Sequence, residues 1–175
     1  GTEHLMLSVA EATDKIVSAF APIGAEMVSV DRAFGRVLAE PLTARLTQPP
    51  ADVSAMDGYA VRAADVATLP ARLKVTLKIA AGQAPEGKIG PGEAARIFTG
   101  AVVPAGADTI IIQENTDADG DFVTVREGDR KPGQHIRKAG FDFKTGDVGL
   151  PAGRYLSARD IALAAAMNRP WLSVS

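Results

Sequence analysis

The 175-residue chain contains no cysteine. That absence excludes a disulfide scaffold, a thiolate nucleophile and any zinc site built on thiolates. Histidine is nearly as scarce. His4 and His135 are far apart in the sequence, so a histidine-rich metal centre is not expected. No apolar run approaches the roughly 18–20 residues that cross a bilayer, so a membrane partner is not expected. The N-terminus lacks the basic stretch and apolar core of a signal peptide, and the default location is the cytoplasm. Lys and Arg total 19 against 21 Asp and Glu, a net charge of −2, and neither sign gathers in a block. Without a basic patch, nucleic acid is not an expected partner. The first residue is Gly1 and not Met, which reads as a cloning scar or a processed end.

Against these absences stand 17 glycines and 11 prolines, a density that implies many turns. Three helices are expected, all near the ends. Ser8 with Glu11 three positions on has the form of a capping box. Behind it Val9, Ala12, Ile16, Val17 and Phe20 make one apolar stripe, and Pro22 and Gly24 end the helix. A short second helix is expected from Asp31, with Phe34, Val37 and Leu38 on one face and Pro41 as its stop. The third starts at Ser157 with Asp160 in the capping-box position, and Asn168 can close it in a left-handed conformation.

The middle has a different period. Leu73 to Ile79 alternates strictly between apolar and polar, which predicts a strand with one buried and one wet face. Ala95–Phe98, Thr109–Ile112 and Phe122–Val125 are further strand candidates, separated by turn signals such as Pro91-Gly92 and Pro132-Gly133. Their spacing of about 10–15 residues suits an antiparallel sheet or barrel-like unit better than alternating strands and helices. The expected fold is therefore α+β: a split, helix-rich domain at 1–50 and 140–175, with an inserted all-β domain at 51–139.

No dinucleotide fingerprint, phosphate loop or nucleophile elbow is present. Four segments carry polar chemistry instead. In Ser54-Ala-Met-Asp57-Gly-Tyr-Ala, the Asp-Gly pair marks a turn or a strand start. Its carboxylate can orient a hydroxyl, hold a hydrated Mg²⁺ or accept a proton, or do no more than cap the turn. In Arg96-Ile-Phe-Thr99-Gly100-Ala, a strand runs into a hydroxyl and backbone N–H groups able to meet an oxyanion, or simply ends in a turn. Gln113-Glu114 reads as a polar strand end. Arg137-Lys138 beside Gly133 and Gly140 can hold a phosphate or sit on a solvated connector, and His135 reads as a surface or packing residue.

Taken in order, Ser-Ala-Met-Asp-Gly-Tyr-Ala, Arg-Ile-Phe-Thr-Gly-Ala with Pro-x-Gly-Ala-Asp, Ile-Arg-x-x-Gly-x-Asp and Leu-x-Ala-Gly resemble one family. It is the MoeA family of molybdopterin molybdenumtransferases, to which the gephyrin E domain is related. The resemblance runs from Ser8 to Val174 and concerns the N-terminal part of the family's chain. It implies insertion of molybdenum from molybdate into adenylylated molybdopterin with release of AMP, a homodimer formed through the split domain, and a need for Mg²⁺. Carried over by position, it implies catalytic roles for Asp57 and Thr99, with Asp57 also a metal ligand. Ser54, Gly100, Arg137 and Asp142 take substrate-binding roles on the same basis. Family members continue into an α/β domain that binds phosphate and pterin, and this chain stops at Ser175 where that domain begins. The Met167-Asn-Arg-Pro170 stretch departs from the family's Leu-Gly-Ile turn. The expectation is a fragment of a longer enzyme, inactive in isolation; the alternative within the family is a non-catalytic protein-binding scaffold module.

Overall fold

A computed structural model describes residues 7–21 and 23–175. His4 and Pro22 lie outside the described residues. In chain order the elements are α1 (Val9–Ser18), β1 (Glu26–Ser29), β2 (Leu42–Thr43), β3 (Val53–Ser54), β4 (Gly58–Val61), β5 (Ala71–Ile79), β6 (Glu93–Ile97) and β7 (Thr109–Ile112). There follow β8 (Thr116–Asp119), β9 (Phe122–Val125), β10 (Ile136–Arg137), β11 (Val148–Leu150), α2 (Ala158–Ala166) and β12 (Trp171–Val174). The chain divides into two compact units. One comprises the described residues up to Arg45 together with Gly146–Ser175, the other Leu46–Thr145.

The Leu46–Thr145 unit is built on a six-stranded sheet of order β7-β4-β6-β5-β9-β8. All its neighbours run antiparallel except β5 and β6, which are parallel. The expectation of a purely antiparallel sheet is corrected here. The 80–92 connection is long enough to carry the chain back to the starting end of β5, which a parallel pair requires. It does so without a helix, and Gly82, Gly87 and Gly92 turn it at positive φ.

On β5 the exposed and covered residues alternate throughout, as the pattern Leu73–Ile79 predicts. The covered residues nevertheless enter two different cores. Leu73 joins Tyr59, Val61, Ala94, Ile111, Val123 and Val125, whereas Ile79 joins Ala60, Ala95, Ile97 and Ile110. The register against β6 slips between Val75 and Leu77, which leaves Thr76 as an extra residue. Such a bulge re-aims the side chains beyond it, so one strand serves both faces.

Thr109 on β7 is fully buried, and its hydroxyl has no hydrogen-bond partner among the described residues. A buried unpaired hydroxyl costs about 1–3 kcal/mol. Thr109→Val is therefore expected to raise stability by about 1 kcal/mol, a melting-point gain of roughly 2–4 °C for a chain of this size. Thermal denaturation followed by circular dichroism checks it, and a loss of stability would show that the hydroxyl is paired.

The other unit joins two short ladders, β1 with β12 and β2 with β11, to α2. The α2 cap is as expected. Ser157 accepts from the Asp160 N–H while Asp160 accepts from the Ser157 N–H, an arrangement worth about 1 kcal/mol. At the far end Asn168 has φ +59°, and Asn168 and Arg169 donate to the carbonyls of Ala165 and Ala164. This is a Schellman closure with Asn in place of glycine. Leu38, Leu156, Ala164, Met167, Leu172 and Val174 are buried in this unit.

The helix-rich expectation is only partly met, because the described residues hold two α-helices and the unit is otherwise strands and loops. The helix expected from Asp31 is a single 3-10 turn, Val30–Arg32. Gly35 then takes φ +75°, after which Val37 bridges Tyr155 and Leu38 bridges Val174. Long-range pairing of an extended segment thus outcompetes a local helical pattern. α1 forms with the expected Ser8–Glu11 box, yet it buries no residue. Val9, Ile16, Val17 and Phe20 are 85%, 61%, 66% and 76% exposed. Among the described residues no helix is long and apolar enough to cross a membrane.

Candidate functional site

Asp57 stands at the end of the loop that enters β4, and Gly58 explains why the strand starts there. A Cβ on Gly58 would lie 1.9 Å from the Ile111 carbonyl oxygen on β7, so only glycine lets β4 and β7 approach this closely. The Asp-Gly signal therefore marks a strand start that leaves the Asp57 side chain exposed.

Thr99 lies 42 residues away, two past the end of β6, and meets Asp57 directly. The Thr99 N–H donates to Asp57 Oδ1 at 2.8 Å, and the Thr99 hydroxyl donates to the same oxygen at 2.9 Å. These two bonds hold the Asp57 carboxyl below its ordinary pKa, the backbone N–H contributing most, and the charge of Arg96 acts in the same direction. Asp57 is thus ionised at neutral pH. Its Oδ2 is engaged by neither of these bonds. The Thr99 proton is committed to Asp57, so the hydroxyl meets a ligand mainly as an acceptor. Gly100 follows at φ +82° and donates its N–H to the Ser54 carbonyl at 2.8 Å.

Ser54, expected to contact substrate, has a buried side chain whose hydroxyl donates to the Met56 carbonyl at 2.6 Å and receives the Met56 N–H at 3.3 Å. These bonds shape the loop that carries Asp57. On its backbone side Ser54 pairs with Ile136 across β3 and β10, and the Ala55 N–H reaches the His135 carbonyl at 2.9 Å. His135 is half-buried at φ +54°. Segments 53–57, 99–101 and 135–137 are thereby laced into one patch.

Arg137 leaves this patch beside Asp142, with Nη2 2.7 Å from Asp142 Oδ1 and the guanidinium 5.2 Å from the Phe141 ring centre. Gly100, Arg137 and Asp142 line one cleft of about 430 Å³ with Pro49, Val53 and Val102. Asp57 and Thr99 are not among its walls, so the cleft and the carboxylate–hydroxyl pair are neighbouring features joined at Gly100. The turn carrying Lys138 is pinned by Asp52, which accepts from Lys138 Nζ at 2.7 Å and from the Ala139 N–H at 2.9 Å. Lys138 first, and then the Ala139 N–H, hold the Asp52 carboxyl below its ordinary value. Asp52 carried no signal in the sequence, since only the folded chain brings it to residues 138–139.

For Mg²⁺ the donor set is thin. Among the described residues no group of three or more His, Asp or Glu side chains is arranged to hold a metal. Mg²⁺ usually keeps several waters and takes one or two carboxylates plus substrate phosphates. Asp57 Oδ2, which neither Thr99 bond engages, fits that single-carboxylate role and no all-protein cage.

The comparisons agree on one family. Residues 7–168 match the description "MoeA N-terminal region (domain I and II)". Proteins named molybdopterin molybdenumtransferase from a Nostoc species and from Haemophilus influenzae are 42% and 34% identical over 153 and 164 residues. These alignments cover 85% and 93% of this chain but only 35% and 40% of the relatives. A crystal structure titled molybdopterin biosynthesis moeA protein, from Pyrococcus horikoshii OT3, superposes with a TM-score of 0.87 at 32% identity, covering 97% of this chain and 46% of that one. The chain spans less than half the length of these relatives, and it belongs to the MoeA family through the region that makes up that family's N-terminal domains.

Proposed function

We propose that this chain is the N-terminal part of an enzyme that inserts molybdenum from molybdate into adenylylated molybdopterin and releases AMP, in molybdenum cofactor biosynthesis. The observation that carries this reading is the exposed, ionised Asp57 braced by the N–H and hydroxyl of Thr99. Cleavage of a phosphoanhydride needs charge neutralisation and positioning more than a covalent nucleophile. The pair suits that need. Thr99 fixes one carboxylate oxygen and leaves Oδ2 directed to the incoming group. If Mg²⁺ is bound here, Asp57 supplies its protein ligand, and the ion neutralises charge on the phosphate oxygens. Arg137 with Asp142, and the backbone at Gly100, would orient the substrate from the adjoining cleft, while Ser54 shapes the loop beneath. Binding of the pterin falls to the part of the enzyme beyond this segment.

The test is molybdate-dependent AMP release from adenylylated molybdopterin by a full-length protein carrying this segment. AMP release that requires molybdate supports the reading. No release from a folded protein that nevertheless binds a protein partner would favour the scaffold reading.

The homodimer belongs to the same proposal. Among the described residues the apolar face of α1 lacks a cover within its own unit, and Val9, Ile16 and Val17 lie on one side of the helix at 7- and 8-residue offsets, with exposed Phe20 just past its end. A second copy of the chain is the partner we infer. Burying one such side chain is worth about 1.5–3 kcal/mol. Ile16→Glu is then expected to weaken dimerisation at least about tenfold in sedimentation equilibrium. Unchanged association would place the interface elsewhere.

A further inference from the structure

Arg96, on β6, lies in a row across the sheet, paired with Tyr59 on β4 and with Lys78 on β5. Its guanidinium is 4.4 Å from the ring centre of Phe98 and 5.3 Å from that of Tyr59. Nη1 donates to the carbonyls of Gly58 and Ile97 at 2.8 and 3.1 Å, and Nη2 donates to Gln113 Oε1 at 2.7 Å. The Gly58–Ile97 pair is the last one in the β4–β6 ladder, immediately before the two chains part toward Asp57 and Thr99. Gln113 in turn donates its N–H to the Asp57 carbonyl at 3.1 Å.

One guanidinium therefore holds the carbonyl of Gly58 next to Asp57, the side chain of the residue that bonds the Asp57 carbonyl, and the strand end that leads to Thr99. The requirement is specific to arginine. A planar fork can meet three acceptors at fixed angles while lying against aromatic rings, and an ammonium cannot. We propose that Arg96 is a positioning residue for Asp57, holding the Asp57-Gly58 turn against the Ile97–Thr99 strand end so that Thr99 meets the carboxylate. This rests on the reading of Asp57 as the working carboxylate. Lys78 stands opposite Arg96 on β5, 5.9 Å from the Phe98 ring.

The experiment follows the Thr99 amide by NMR, through its shift and its hydrogen exchange, in the 175-residue chain and its Arg96→Gln and Arg96→Lys variants. Both variants are expected to release the Thr99 amide from its hydrogen-bonded shift and to speed its exchange, because neither restores the planar fork. A Thr99 amide that superimposes on the parent in both variants would overturn the proposal. If Arg96→Gln does not fold, Gln113→Met removes only the Nη2 acceptor and is expected to move the Thr99 amide the same way by less; superposition there overturns the proposal equally. Turnover of Asp57→Asn in the full-length protein separates the two readings. A moved Thr99 amide with normal Asp57→Asn turnover leaves Arg96 as a positioning residue and removes the catalytic reading of Asp57.

Discussion

Gly58→Ala is expected to destabilise the chain by about 3 kcal/mol or more, at or above the upper end of what overpacking costs. The added carbon would sit 1.9 Å from the Ile111 carbonyl oxygen, 2.9 Å from its carbon and 3.0 Å from the Ile112 Cα. All three are backbone atoms of β7, and no side-chain rotation relieves the clash. Either β7 moves away from β4, breaking the ladder from Gly58–Ile112 to Val61–Thr109, or the Asp57 turn moves with Gly58. In the second case the Asp57–Thr99 contact is lost along with stability. Chemical denaturation gives the stability change through the midpoint, and the Thr99 amide shift reports the contact. A midpoint like that of the parent would mean the strands are further apart than described here.

Asp57→Asn is expected to separate stability from activity. Asn keeps an oxygen that can accept from Thr99, and the site is exposed, so folding stability should change by no more than about 0.5 kcal/mol. What is lost is the negative charge at the unengaged oxygen. Removing one preorganised electrostatic partner from a reacting site typically lowers kcat by about a hundredfold to a thousandfold. That is the fall expected in AMP release by a full-length protein carrying the substitution. Normal turnover in the Asn variant would assign the carboxylate to turn geometry alone.

Elements specified by neighbouring residues were legible in the sequence. α2 follows from Ser157, Asp160 and Asn168, whose caps act over one turn, and β7 and β9 follow from short β-branched runs. Pairings between distant segments were not. Nothing local distinguishes Trp171–Val174 as the partner of Glu26–Ser29, or shows that β5 and β6 run parallel. The alternation of β5 was visible, but the bulge at Thr76 that divides it between two cores depends on its neighbour. The helical pattern at 31–38 yielded to bridges with Tyr155 and Val174 for the same reason. The amphipathic pattern of α1 was legible in the sequence, while its exposure was not.

The site divides along the same line. Asp57 and Thr99 were nominated by the resemblance, but a separation of 42 residues gives no local hint that they share two hydrogen bonds. Ser54 belongs to the same motif, but its burial and its bonds to Met56, which shape the loop, exist only in the folded chain. Arg96 and Gln113 read as ordinary strand residues, because their value lies in contacts among Gly58, Arg96 and Gln113 that join distant parts of the chain.

The central claim is that Asp57 and Thr99 act as a unit in the reaction. A double-mutant cycle on single-turnover AMP release, using Asp57→Asn, Thr99→Val and the pair in a full-length protein, addresses it directly. The double variant is expected to be no slower than the slower single variant. Rate losses that multiply, or single variants that react at the parent rate, would contradict it.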